Sequence, residues 1–202
     1  MPNWCSTDII ISNSDSNVLK NLESEFDKAL HWNKIPNGFG EAWLGNILNY
    51  LGYTEEEIVQ EKMRCRGEVT WMKMRNDGKL YINTDTAWIP MLQPFLKMIE
   101  KYAPDSELTY YAEELGCEII CTNDYEMVGK IHVCIYDDNI PDELDWLYNA
   151  NEDPMNKTEF LEAVKSSIGW DIPLSEVADK IEEELPDVSW HEWEFAEIDV
   201  WK

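Results

Sequence analysis

Basic residues are scarce in this chain: 16 Lys and Arg stand against 41 Asp and Glu in 202 residues, a formal net charge of −25. Binding to a phosphate backbone draws its affinity largely from Lys and Arg, so direct nucleic-acid binding is not expected. Attachment to an anionic membrane surface is disfavoured for the same reason. Long hydrophobic runs are missing too; no stretch of about 18 apolar residues exists to span a bilayer. The opening MPNWCSTDIIIS has neither a basic segment nor a clean apolar run before a small-residue cleavage site, which makes the cytoplasm the expected compartment. Five cysteines, Cys5, Cys65, Cys117, Cys121 and Cys134, are too few, too scattered and odd in number for a secreted disulfide framework. Reduced, mostly buried thiols are expected instead.

What the chain does have is apolar and aromatic substance. The hydrophobic share is 44% and the aromatic share 12%, with ten Trp, which excludes disorder over most of the length. The first segment, Trp4 to Ser12, ends in Ile9-Ile10-Ile11 and reads as a buried strand. Val18, Leu19, Leu22, Phe26, Ala29 and Leu30 recur at spacings of three and four, predicting an amphipathic helix capped by Ser16 or Asn17. Pro36, Gly38 and Gly40 mark a loop, with Phe39 packed in a turn. Trp43, Leu44, Ile47, Leu48 and Leu51 then predict a short helix stopped by Gly52.

Beyond residue 67 the period changes from helical to alternating. Val69, Trp71 and Lys73 alternate with Glu68, Thr70 and Met72, Asn76-Asp77-Gly78 makes a turn, and Leu80, Ile82 and Thr84 follow. This is a β-hairpin signal. Pro90 is placed just inside the next helix, whose buried face is Leu92, Phe95, Leu96 and Ile99 and which Pro104 closes. Strands are expected over 108–112, 117–122 and 128–136. The order β-α-(insert)-β-β-α-β, with two further strands, predicts an α+β protein with a ferredoxin-like antiparallel sheet and helices on one face. The predicted organisation is a domain over 1–136 with a helical insert at about 32–67, and an acidic, α-rich extension over 137–202 that ends in a strand. That extension holds 20 Asp and Glu against 4 Lys. Phe160, Leu161, Val164 and Ile168, then Val177, Ile181 and Leu185, are periodic, so it is expected to fold.

Asn3-Trp4-Cys5 at the start of the first strand, Asp85-Thr86-Ala87-Trp88-Ile89-Pro90 at a helix entry, Tyr102-Ala103-Pro104 at its end, and Leu108-Thr109-Tyr110-Tyr111-Ala112-Glu113-Glu114 after it form a set. Together they resemble the YubB ferredoxin-like family over about residues 1–125. Trp43-Leu44-Gly45-Asn46 and Cys65-Arg66-Gly67 are similar to elements of a gut-bacterial branch. The chain departs from the family where a Gly-rich segment is usual, reading Glu113-Glu114-Leu115-Gly116-Cys117. The resemblance implies a fold and a plasmid, phage or mobile-element context; the family brings no established activity and no catalytic residues.

Candidate chemistry is thin. Cys117, Cys121, His132 and Cys134 carry zinc-ligand types, but residues 117 and 121 of one strand lie roughly 13 Å apart at about 3.3 Å per residue, too far for one tetrahedral site. Buried thiols are the better reading, and no metal or cofactor is expected. Close carboxylate pairs arise by chance among 41 acids and nominate no general acid and base. His191-Glu192-Trp193-Glu194 lacks the second His of a zinc-protease helix and reads as strand. Gly38-Phe39-Gly40 with Gly45 has the wrong spacing for a dinucleotide fingerprint.

Two functional readings follow. The first is a non-enzymatic accessory or interaction protein whose acidic surface, with Asp179, Glu182, Glu183, Glu184 and Asp187, meets a basic protein partner; nucleic-acid mimicry is its sharper form. The second is a small-molecule-binding module or enzyme with a cleft near Trp88, Tyr110 and Trp71, beside the insert. Trp4 joins that set if the sheet's open face binds a ligand; otherwise Trp88 is expected to plug the strand–helix junction.

Overall fold

The computed structural model describes residues 3–32, 39–114, 119–135, 155–184 and 190–194, without the side chains of 132–135, 178, 181, 182, 184 and 190–194. These residues form two compact units that divide between Asn123 and Asp124.

The first unit is α+β. Its five-stranded antiparallel sheet has the order β2-β3-β1-β4-β5. The strands are β1 (Trp4–Ser12), β2 (Gly67–Met74), β3 (Leu80–Ala87), β4 (Glu107–Glu114) and β5 (Ile119–Thr122). β1 lies centrally, paired with β3 and β4, and its side chains alternate: Cys5, Thr7, Ile9 and Ile11 are buried on one face, while Trp4, Ser6, Asp8 and Ile10 face outward. Helices α1 (Ser16–Leu30), α2 (Leu44–Leu51) and α4 (Gln93–Tyr102) supply the apolar residues that cover the buried face. Phe26 of α1 meets Phe95 of α4 at 5.7 Å between ring centroids, in one core with Ile9, Ile11, Leu80, Ile82 and Tyr110. Asp15, rather than Ser16 or Asn17, caps α1, accepting from the Asn17 N–H at 2.9 Å.

Three further local features differ from the sequence expectation. Pro94, rather than Pro90, stands in the first turn of α4. A one-turn helix α3 (Glu55–Gln60) follows α2, held by a Thr54–Glu57 capping box. In β2 the register shifts between Val69 and Trp71. One extra residue there flips the alternation, so Val69, Met72 and Met74 turn toward the core while Trp71 and Lys73 turn outward.

The bulge also blunts a sheet edge, since β2 is terminal in the strand order. Near its start, the Val69 N–H donates to Ala42 O at 2.9 Å and Trp43 bridges to Glu68. Near its end, the Met74 N–H donates to the Glu23 carboxylate of α1 at 2.9 Å. Two donors of the edge strand, those of Val69 and Met74, are thereby taken locally.

The second unit holds a three-stranded antiparallel sheet of order β7-β6-β8, with β6 (Lys130–Ile135), β7 (Met155–Asn156) and β8 (Trp190–Glu194). Helices α5 (Lys157–Ile168) and α6 (Leu174–Glu184) accompany it. The described part of the extension is mostly helix, with the short strand β7 before α5 and β8 near its end, and both strands pair with β6, which lies before residue 137. The strand near 130, assigned from sequence to the first domain, takes its partners from β7 and β8. Phe160, Val164 and Val177 are buried as their spacing requires, and Asn156 caps α5 with a capping box to Glu159. Leu185 lies outside the described residues.

Candidate functional site

Where β1 and β2 begin and β3 ends, the insert folds over the sheet and leaves a groove of about 910 Å3. That is within the range of small-molecule sites, roughly 300–1,000 Å3. Its walls include Trp4, Phe39, Trp43, Met63 and Met91, with Arg64 and Arg66 on either side of Cys65 and with Glu68 at the rim. Each wall has a distinct origin. Trp4 is the first residue of β1, on its outward face, and is 53% exposed. Trp43 precedes the first residue of α2, and the Phe39 ring lies 4.8 Å from it in a tilted pair. Phe39 is 68% exposed, so it is not the packed turn residue that its glycine neighbours suggested.

Trp43 is seated on Gly45. A Cβ at position 45 would come within 2.2–2.5 Å of three atoms of the indole, so only glycine there lets the ring lie across the helix's first turn. The loop before it is tied to α2 by Asn46, 3% exposed, whose amide donates to Gly40 O at 3.0 Å and Glu41 O at 2.9 Å. These two bonds hold the groove's upper wall. Gly67 has a different duty: a Cβ there would meet Asp85 O at 2.4 Å and Thr86 Cα at 2.8 Å, so β2 and β3 approach closely only because it is glycine.

Beneath Arg66 sits Trp88. Its φ is +67°, an unusual conformation for a bulky residue and one that costs on the order of 1–3 kcal/mol. The strain is held by the ladder around it: the Trp88 N–H donates to Asn3 O and the Ala87 N–H to Arg66 O, both at 3.0 Å. The turn aims the indole outward, 47% exposed, with the Arg66 guanidinium 5.0 Å above its ring. Trp88 therefore does not plug the strand–helix junction; it supports Arg66.

Of the other residues expected at a cleft, Tyr110 is 1% exposed, in the core beneath the sheet. Trp71 is outward-facing and 40% exposed, near the Asp77-Gly78 turn, where Arg75 lies 5.5 Å over its ring and 4.0 Å over that of Tyr81. The chain has three arginines, and two of them line the groove. Neither is in an ion pair among the described residues. Arg64, Arg66 and Trp43 are not among the site residues expected from the sequence, where Trp43 reads as a helix residue and Arg66 only as part of the Cys65-Arg66-Gly67 resemblance. Their signal was available in the two arginines spaced at i, i+2 in a chain so poor in basic residues.

The thiols behave as buried groups. Burial raises Cys5 to about 11 and Cys121 to about 12, and it also raises Cys65, which is half-buried in the groove wall. Cys121 belongs to the first sheet, whereas His132 and Cys134 belong to a strand of the second. Cys117 and the side chains of His132 and Cys134 lie outside the described residues. Among the described residues no three His, Cys, Asp or Glu side chains gather as metal ligands. His191 to Glu194 form β8, as expected of that stretch.

On α6, Asp179 and Glu183 are exposed. The Glu182 and Glu184 side chains and all of Asp187 lie outside the described residues. No helix among the described residues is long and apolar enough to cross a membrane. Comparison of the chain with family models, with curated proteins and with solved structures gave no match.

Proposed function

We propose that the chain is a binding module whose working surface is the groove between Trp4, Trp43 and Arg66. The observation that carries this reading is the groove itself: three large aromatic side chains and two arginines without ion pairs converge on one opening. Large aromatics left open to solvent cost hydrophobic free energy, about 25 cal/mol per Å2 of apolar surface. Ligand pockets are concave and lined mainly by apolar and aromatic side chains with a few placed polar groups, which is the make-up of this groove. The strained Trp88 beside it fits the tendency of backbone strain to gather at ligand sites. The strand order β2-β3-β1-β4, with antiparallel neighbours throughout, supports a split β-α-β, ferredoxin-like assignment for the first unit, and with it the YubB-like kinship.

The test is calorimetric titration of the full chain with 2-naphthalenemethanol, a neutral bicyclic probe. Binding in the high-micromolar range that weakens at least tenfold in Trp4→Ala and Trp43→Ala supports the reading. Equal affinity in both variants overturns it.

A second reading rests on α6, where Glu176, Asp179 and Glu183 are exposed at spacings of three and four and form an acidic stripe along the helix. Such a stripe suits a basic protein partner, with an on-rate that falls as salt rises. Retention on immobilised oligolysine should drop in an Asp179→Lys/Glu183→Lys variant if the stripe carries this contact. Unchanged retention removes α6 from it.

A further inference from the structure

The groove's charge narrows what it can hold. Three surface hollows of the first unit can be compared. In one, lined by Tyr53, Glu57, Lys97, Glu100 and Lys101, the two cations are balanced by the two carboxylates; Lys97 pairs with Glu100 at 3.2 Å and the Lys101 ammonium lies 5.2 Å over the Tyr102 ring. In another, beside Trp71, Lys73, Arg75 and Asp77 also sum to one positive charge, but the Arg75 guanidinium is stacked on the hairpin's own Tyr81 at 4.0 Å and the lining holds a single aromatic ring. In the groove at Trp4 and Trp43, Arg64 and Arg66 have no carboxylate partner among the described residues. With Glu68 counted at the rim, the charged lining residues sum to one positive charge in a chain of net −25.

We propose that this groove takes a small planar aromatic anion, with its ring against Trp4 and Trp43 and its carboxylate or phosphate on Arg64 and Arg66. The inference rests on the groove being a binding site and adds the ligand's chemistry. A guanidinium is a planar fork suited to two oxygens of one anionic group. Arg66 is already oriented by Trp88, 5.0 Å beneath it, so less side-chain freedom is lost on binding. Trp88 is a positioning residue in this arrangement, because it acts through Arg66. The anion must be small. Fields from exposed charges fade over a Debye length of about 8 Å in physiological salt, so one anionic group senses mainly the two arginines. A polyanion such as an oligonucleotide would lay its further charges along a surface dominated by carboxylates.

A charge series on one ring tests this with the full chain: 2-naphthoate, 2-naphthalenemethanol and 2-naphthylmethylammonium, titrated by calorimetry. The expected order is anion, then neutral, then cation, with the anion at least tenfold tighter than the neutral compound. In Arg64→Gln/Arg66→Gln the neutral probe should bind within twofold of the parent while the anion loses its advantage. In Trp88→Ala the anion's advantage should shrink with the neutral affinity kept. Alkylation of Cys65 by iodoacetamide, located by peptide mapping, should slow when 2-naphthoate is bound. If all three compounds bind the parent equally, or the cation binds best, the charge assignment is wrong while the groove reading stands. If no probe binds at all, the groove reading falls and this inference falls with it. Anion binding that survives the double arginine variant undiminished, or that leaves Cys65 unprotected, places the anion elsewhere and overturns the inference.

Discussion

Gly45→Ala is the sharpest perturbation of the groove that leaves its chemistry untouched. The new methyl would sit 2.2, 2.3 and 2.5 Å from Cη2, Cζ2 and Cζ3 of Trp43. Carbon atoms rest at about 3.5–4.0 Å, so the outer edge of the indole must swing away by more than about 1 Å. The ring is the far end of a side chain, and it can move without dragging the backbone. Two effects on stability then oppose each other. Replacing glycine in a helix gains at most about 1 kcal/mol. Breaking the Trp43–Phe39 pair, with centroids 4.8 Å apart, costs about 0.5–1.5 kcal/mol. Unfolding by urea should therefore show a stability within about 1 kcal/mol of the parent, while affinity for 2-naphthalenemethanol falls about tenfold or more. In a Trp43→Ala background the clash partner is gone. There the same Gly45→Ala change should stabilise, by up to about 1 kcal/mol, a non-additivity that a double-mutant cycle reads directly. A loss of 3 kcal/mol or more in both backgrounds would refute the reasoning, because it would place the cost in the backbone rather than in the indole.

Gly67→Ala should behave differently, since its Cβ would meet backbone at 2.4 and 2.8 Å; a loss of about 2 kcal/mol or more in urea unfolding is expected. Asn46→Ala removes two bonds to the loop carbonyls and should cost about 1–3 kcal/mol, with amide exchange over residues 39–43 accelerated. Glu25 accepts from Lys28 at 2.6 Å and from the Tyr50 hydroxyl at 2.5 Å, and these bonds, Lys28 first, hold its carboxyl below the ordinary value of 4.5. A carboxyl lowered in the folded state stabilises fully above its unfolded value and loses that contribution as pH falls through the folded value. Glu25→Gln should thus lower stability by about 1 kcal/mol at pH 7, because Lys28 is largely exposed. The gap between parent and variant should close in unfolding curves taken below pH 4.5.

Much of the first unit was legible because its signals are local. The Trp4–Ser12 strand ends where Asn13 and Ser14 begin the turn, and the Asp77-Gly78 hairpin and the Gly52 stop of α2 carry the chemistry of their own turns. The α3 helix was equally local, in the Thr54 and Glu57 of a capping box, and was passed over among surrounding glutamates. The β2 bulge was not legible. Val69, Trp71 and Lys73 stand at the alternating spacing of a regular strand, and only the pairing with β3, where Val69 meets Thr84 and Trp71 meets Asn83, shows where the register slips. Tyr110 and Trp88 illustrate the same limit for the site. Both are aromatic residues flanking α4, yet one is sealed in the core and the other is thrown outward by a positive φ. The strand near 130 was recognisable as a strand, but its partners are set by β8, some sixty residues on. Arg64 and Arg66 gain meaning only when the insert folds back on Trp4.

The most direct measurement is a crystal of the full chain soaked with 6-bromo-2-naphthoate, with the bromine located by its anomalous scattering. One dominant bromine peak is expected between Trp4 and Trp43, with the carboxylate within hydrogen-bond distance of Arg64 or Arg66. A peak at Trp71 and Arg75 instead, or carboxylate density turned away from both groove arginines, would contradict that placement.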